Sequence, residues 1–263
     1  RAMEVGIITR GGGGDFPRNV MVSPLSGVEQ GEYFDVLPYA ERTGDYLMGM
    51  IKTVKLPRKL KVGFSNSPAN VTHATFRDLG FMAKENGLFD VYSAGGLGNN
   101  YKMGVKVAEN VKPEEVLYYV EAMVRTFTTY GNYESRAKSR TRYMQETLGV
   151  EGYKKAYQEK LLEVKAEFKD SLLIKESSVS AEQESNTEES VVNIKEQESQ
   201  LKNVAAYPQT ESASERVITQ KQAGLYAVAY HPVGGMVPAQ KFEEIYEEIK
   251  NAAKAEVRVA PDE

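Results

Sequence analysis

Leu56-Pro57-Arg58-Lys59-Leu60-Lys61-Val62-Gly63-Phe64-Ser65 is the stretch around which the 263-residue chain is organised. Pro57 presets an extended entry, the position at which a strand tolerates proline. Beyond it, small or apolar residues alternate loosely with others. Residues two apart on a strand share a face and lie about 7 Å apart. This pattern places Lys59 and Lys61 on one face, with Leu60 and Val62 on the other. Two ammonium groups at that spacing repel each other unless an anion lies between them. The plain alternative is a solvated edge strand, on which lysines block unwanted pairing.

Upstream, residues 4–9 (Glu-Val-Gly-Ile-Ile-Thr) read as a short strand leading into Gly11-Gly12-Gly13-Gly14-Asp15-Phe16-Pro17-Arg18-Asn19-Val20. Four glycines let the backbone approach a ligand closely. The run matches neither GxxxxGK[ST] nor a GxGxxG opening a helix, which argues against a nucleotide enzyme. It reads instead as a turn presenting Arg18 and Asn19. Between residues 34 and 54, Leu37, Ala40, Tyr46, Leu47, Met50 and Ile51 recur at helical spacing, predicting a helix or helix pair.

Downstream, residues 78–85 and 88–94 flank Asn86-Gly87, the strongest short hairpin signal. The second arm runs into Gly95-Gly96-Leu97-Gly98-Asn99-Asn100, a second turn with exposed backbone. Residues 113–130 predict a helix, with Pro113 in its first turn and Glu114 and Glu115 at the positive end of its dipole. Val116, Val120, Met123, Val124 and Phe127 form its buried stripe, and Gly131 ends it. A second helix is expected over 134–148, with Arg136 and Arg140 four apart on one face. That basic face reads either as a binding surface or as plain solvated charge. A third helix is expected over 151–169.

Residues 176–200 are rich in Ser, Glu and Gln and read as a disordered linker. Order is expected to resume near Gly224, with a strand over 225–230 and a helix over 238–253 that turns Phe242, Ile245, Tyr246 and Ile249 inward. A short strand over 256–259 completes a β-α-β unit, half of a ferredoxin-like sandwich. The expected organisation is therefore a domain over 1–170, a linker over 171–221 and a half-domain over 222–263.

Composition bounds the function. A net charge of -4 supplies no overall basic field for nucleic acid, and no apolar run approaches a membrane span. No signal peptide is visible in the first residues, so the expected location is cytoplasmic. With no cysteine and only His73 and His231, neither a thiolate nor a histidine-rich metal site is expected, and no metal ligands are assigned. The chain begins with Arg1 rather than Met, so it is expected to be a piece of a longer polypeptide.

Arg18-Asn19-Val20, then Leu56-Pro57-Arg58-Lys59-x-Lys61, then the hairpin into Gly95-Gly96-Leu97, then the basic segment from Arg136 to Tyr143 occur in that order. In this the chain resembles the siroheme-dependent nitrite and sulfite reductases, over residues 14–165 and again over 224–263. The resemblance implies an α+β fold: a siroheme-binding domain with a mixed sheet and helices, plus a ferredoxin-like half-domain. It implies six-electron reduction of sulfite or nitrite, with siroheme as cofactor, a small oxyanion as substrate and an electron donor such as ferredoxin. Siroheme carries eight carboxylates, so its pocket calls for cations and backbone donors. By resemblance Arg18, Lys59 and Lys61 face the substrate, and Arg140 pairs with siroheme carboxylates. Gly14, Asn19, Arg58 and Arg136 belong to the same shell. Lys-x-Lys in this position goes with sulfite, a dianion, rather than nitrite.

The sequence departs from that family in two respects that bear on chemistry: an additional active-site arginine that the family carries in an earlier segment is missing, and so are the cluster's cysteines. Family enzymes hold a 4Fe-4S cluster on four cysteines, and this chain has none. A cluster is therefore expected only in a full-length parent, on cysteines beyond Glu263. The reading from a different class is a non-catalytic anion- or tetrapyrrole-binding module.

Overall fold

The computed structural model describes residues 13–175, 216–232, 237–249 and 256–258. The expected strand at 4–9 and the expected linker at 176–200 lie outside these residues. The fold is α+β. Five strands form one mixed sheet in the order β1 (Pro17–Val22), β2 (Leu60–Ser65), β3 (Leu79–Ala83), β4 (Phe89–Ser93), β5 (Val105–Val111). β1, β2 and β3 run parallel, and the β3–β4 and β4–β5 pairs are antiparallel.

The decisive stretch becomes β2, which lies between β1 and β3 and is not an edge. The solvated edge-strand alternative is thereby excluded. All six residues of β2 except Lys61 are buried, as expected for a parallel strand covered on both faces. Phe64 is paired in register with Phe81 on β3, and their rings stack 4.6 Å apart. Phe89 on β4 meets both edge-on, the other favoured aromatic geometry. This aromatic centre locks the register of three neighbouring strands.

Three helices complete the body: α1 (Leu37–Gly49), α2 (Val116–Tyr130) and α3 (Met144–Phe168). α2 is buried on nearly every side and includes the whole predicted stripe. It packs along α3, and both helices reach the sheet. Ser93 on β4 hydrogen-bonds the Tyr153 hydroxyl on α3 at 2.7 Å, and the Met123 sulfur of α2 touches the same serine.

The helix expected over 134–148 is not one element. Residues 136–138 and 141–143 form two short helical turns with extended backbone at Arg140. Residues from Met144 belong to α3, which is kinked where Gly149 takes a φ of 71°. Arg136 and Arg140 therefore do not share a helical face; each is drawn to a different carboxylate.

The packed body also passes the expected boundary at 170. Leu172 and Ile174 are buried in its core, and the Ile174 amide donates to the Glu114 carbonyl at 2.9 Å.

Near the C-terminus, β6 (Val217–Thr219) and β7 (Tyr226–Val228) form an antiparallel hairpin, followed by α4 (Ala239–Ile249). β6 falls within the span expected to be linker. Phe242 and Tyr246 of α4 are exposed rather than inward, and residues 256–258 join no strand. The hairpin is held to the body by backbone and ionic contacts. The Lys221 amide donates to the Val28 carbonyl, and its ammonium pairs with Glu32.

Candidate functional site

The parallel strands gather cations at the start of β2. Backbone pairing of Leu56 and Leu60 with Asp15 and Phe16 lays the segment before β1 against the entry to β2. The register between β1 and β2 slips between Pro17 and Val20, so Arg18 and Asn19 occupy a bulge. Bulges re-aim side chains. Arg18 is half-buried there and close enough to Lys59 to act on its charge, while Asn19 is exposed.

Lys59 and Lys61 are both half-buried, Lys59 just before β2 and Lys61 within it. Burial pushes the Lys59 ammonium below the usual lysine range, and the guanidiniums of Arg140, Arg18 and Arg58 push it further. Lys61 is lowered first by burial, then by Lys59, Arg77 and Arg140. Asp78 opposes both shifts. The two lysines thus share one field, as the strand pattern predicts.

Asp78 organises the site. It is 1% exposed and stands just before β3. Its carboxylate accepts from the Lys61 amide at 2.9 Å and from Arg140 Nη2 at 3.0 and 3.1 Å. The Thr141 hydroxyl donates to the same group. Asp15 is a second organiser. Its two oxygens take Arg136 Nη1 at 2.7 Å and Arg58 Nη1 at 3.0 Å. The Arg136 hydrogen bond, then that from Arg58, holds the Asp15 carboxyl below the usual range against the effect of burial.

Lys61, Arg77, Asp78, Arg140, Phe76, Gly96 and Leu97 line a cleft of about 150 Å³. The Gly95–Gly98 turn forms one wall. A side chain at Gly95 would begin 2.8 Å from the Phe76 backbone, so only glycine lets the turn approach so closely. Gln145 of α3 fixes the turn by donating to the carbonyls of Ala94 and Met103, both at 2.8 Å.

The predicted residues thus largely converge. Arg18, Arg58, Lys59, Lys61 and Arg140 form one cluster. Arg136 reaches it only through Asp15 and is mostly exposed. Gly14, at a φ of 95°, precedes Asp15 and packs against the Phe16 ring. Sequence reasoning missed Asp15, Asp78 and Arg77. The available signal was charge balance, since a buried cluster of cations needs carboxylates nearby. Among the described residues the cluster's ion pairs are with Asp15 and Asp78, so it carries surplus positive charge. Arg18 and Arg140 each also bury an Nε that has no hydrogen-bonding partner. Such a site suits an anion with several carboxylates or a small oxyanion. Among the described residues no group of His, Asp or Glu side chains could hold a metal ion, and the chain has no cysteine for a thiolate-held cluster.

Comparison with known proteins bears on the family. Over 167 residues the chain is 30% identical to "Sulfite reductase [ferredoxin] 1" of Mycolicibacterium paratuberculosis, covering 62% of this chain and 30% of that protein. It is 28% identical over 183 residues to the "Sulfite reductase [NADPH] hemoprotein beta-component" of Anoxybacillus flavithermus, covering 56% of this chain and 32% of that one. The solved structure of Mycobacterium tuberculosis NirA protein superposes with a TM-score of 0.55 at 28% identity, over 61% of this chain and 30% of that chain. The chain therefore spans about a third of the length of these relatives. Residues 13–165, more than half of the chain and all of the cation cluster, match the family described as "Nitrite and sulphite reductase 4Fe-4S domain", and the protein belongs to that family.

Proposed function

We propose that this chain supplies the siroheme- and substrate-facing cations of a sulfite reductase that adds six electrons to sulfite. The observation that carries the reading is the surplus positive charge where Lys59, Lys61, Arg18 and Arg140 meet. Siroheme fits it by chemistry. Its carboxylate rim matches the guanidiniums, and the Gly95–Gly98 turn leaves a cleft wall with little side-chain bulk. When bound, its iron supplies the electron-transfer chemistry. A 4Fe-4S cluster does not fit this chain, which has no thiolate, and no step is assigned to one here.

The residues themselves hold and protonate. Asp78 fixes Arg140 through two hydrogen bonds, leaving the other guanidinium N–H groups for a carboxylate. Lys59 and Lys61 bind the oxyanion and stabilise charge on its departing oxygens. Their lowered pKa values bring them nearer to neutral pH and make them better proton donors. A ferredoxin-type donor is supported by the names of two relatives, the M. paratuberculosis protein and the "Assimilatory ferredoxin-dependent nitrite reductase" of Haloferax mediterranei, 25% identical over 160 residues. A second reading, a non-catalytic tetrapyrrole- or anion-binding module, is favoured by the lack of cysteine in this chain.

The test uses the enzyme that carries this chain together with the cluster-bearing segment. Lys59→Ala should lower sulfite turnover by about 100-fold, the scale of a lost proton donor. It should shift stability by no more than about 0.5 kcal/mol. Steady-state rates paired with thermal melts decide this, and unchanged rates with siroheme retained would remove Lys59 from the reaction.

Sulfite is selected by Lys61. The dianion gains more from an added cation than monoanionic nitrite does, even after its larger desolvation cost. Lys61→Asn should therefore lower kcat/KM for sulfite more than for nitrite. Equal losses for both substrates would show that Lys61 is not the selector.

A further inference from the structure

Arg77 is a half-buried cation of the cleft with no part yet in binding the oxyanion. Its stem crosses the lysine face of β2. Lys59, Lys61 and Gly63 follow one another on that face. The point where a side chain at Gly63 would begin lies 3.0 Å from Arg77 Cγ. The bare backbone at Gly63 is thus the berth in which Arg77 lies, one step along the strand from Lys61. Arg77 Nε donates to the Thr72 carbonyl at 2.7 Å, which fixes the plane of the guanidinium. Among the described residues no carboxylate is in ion-pair contact with it, because the neighbouring Asp78 is taken by Arg140, Thr141 and the Lys61 amide. Both Nη groups are left for an anion in the cleft that Arg77 lines with Lys61 and Arg140. Arg77 is also close enough to Lys61 to act on its charge.

We infer that Arg77 is a specificity-determining residue that binds the third oxygen of a dianion such as sulfite. This rests on the oxyanion reading above and deepens it. Lys59 and Lys61 each present one ammonium, and two ammoniums suffice for the two oxygens of nitrite. Sulfite has a third oxygen, and a guanidinium held in plane beside the lysine row meets it with N–H groups in a fixed fork. Lys61 favours sulfite by charge; Arg77 favours it by the number of oxygens. A purely structural Arg77, clamping Thr72 over β2, would move stability and leave the preference between the two anions unchanged.

The experiment uses the 263-residue chain, titrated with sulfite and separately with nitrite at a pH where sulfite is a dianion. Binding is read by NMR from the backbone amide shifts of residues 61–64. Arg77→Met keeps an apolar stem over Gly63. It should bind sulfite about tenfold more weakly and nitrite less than about threefold more weakly, the scale of a screened charge. Lys155→Met, on the exposed side of α3, should match wild type. If Lys61→Met weakens sulfite binding and Arg77→Met does not, the Arg77 assignment fails and the oxyanion reading stands. Equal losses for sulfite and nitrite in Arg77→Met also overturn the assignment, since the residue would then act by charge alone. Should Arg77→Met not fold, Arg77→Lys decides: it keeps the charge and loses the fork, and an unchanged preference between the anions in it overturns the assignment. If wild type binds neither anion, both readings fall. A loss as large in Lys155→Met as in Arg77→Met shows non-specific charge attraction and overturns the assignment.

Discussion

Asp78→Ala should destabilise the chain by about 3–5 kcal/mol, the range for breaking a buried ion pair from one side. The carboxylate is 1% exposed and accepts from the Lys61 amide, Arg140 and Thr141. Its loss orphans the Lys61 amide and leaves the Arg140 guanidinium without a counter-charge, although Arg140 already buries one unpartnered nitrogen. Asp78→Asn keeps one acceptor oxygen and should cost less. Urea denaturation of the three proteins measures the series, and a loss below about 1 kcal/mol for Asp78→Ala would deny Asp78 its organising role. The change should also reach the lysines. Asp78 is the charge that opposes the lowering of both, so its removal should drive Lys59 and Lys61 further below the usual range. More of each would then be neutral at a given pH than in the wild type.

Gly80→Ala should be at least as damaging, for a steric reason. A Cβ there would begin 1.8 Å from the Ala74 carbonyl oxygen and 2.5 Å from its carbon. Both are backbone atoms of the turn that crosses β3, and β3 is held by β2 on one side and β4 on the other. Neither partner can yield as a side chain could, so the cost should exceed the roughly 1–3 kcal/mol of ordinary overpacking. Gly44→Ala in α1 is the contrasting case. Nothing lies within 4 Å of a Cβ there, and the change should stabilise by about 0.5–1 kcal/mol. Thermal melts of both variants check the pair. A native-like melt for Gly80→Ala would show that the turn can move away from β3.

Features encoded locally were legible in the sequence. The Asn86-Gly87 hairpin, the 113–130 helix and the apolar face of β2 depend on neighbours a few residues apart, and the structure has all three. The cation set was legible through the order of its motifs. What could not be read was where the cations point, because their partners are remote. Arg136 and Arg140 have helical spacing, yet their carboxylates are 121 and 62 residues away. Helix propensity is a weak preference, and two charge-assisted contacts override it. The stripe on α4 failed differently. Periodicity predicts an apolar face, but not whether that face is covered, and Phe242 and Tyr246 remain exposed.

The same long ties set an order of assembly. Strands β1 to β3 and both organising carboxylates precede residue 84, but the guanidiniums that close the site arrive with residues 136–140. A chain emerging from the ribosome therefore makes the floor of the site before its rim. Closing such long loops adds little to the equilibrium cost, yet contacts this far apart in sequence slow folding. Asp78 then waits through 62 residues of synthesis for Arg140, and Asp15 through 121 for Arg136. Nascent chains released at successive lengths should accordingly gain the ligand-binding site in one step, once α3 and the buried Leu172 and Ile174 complete the core, and not gradually as the strands form.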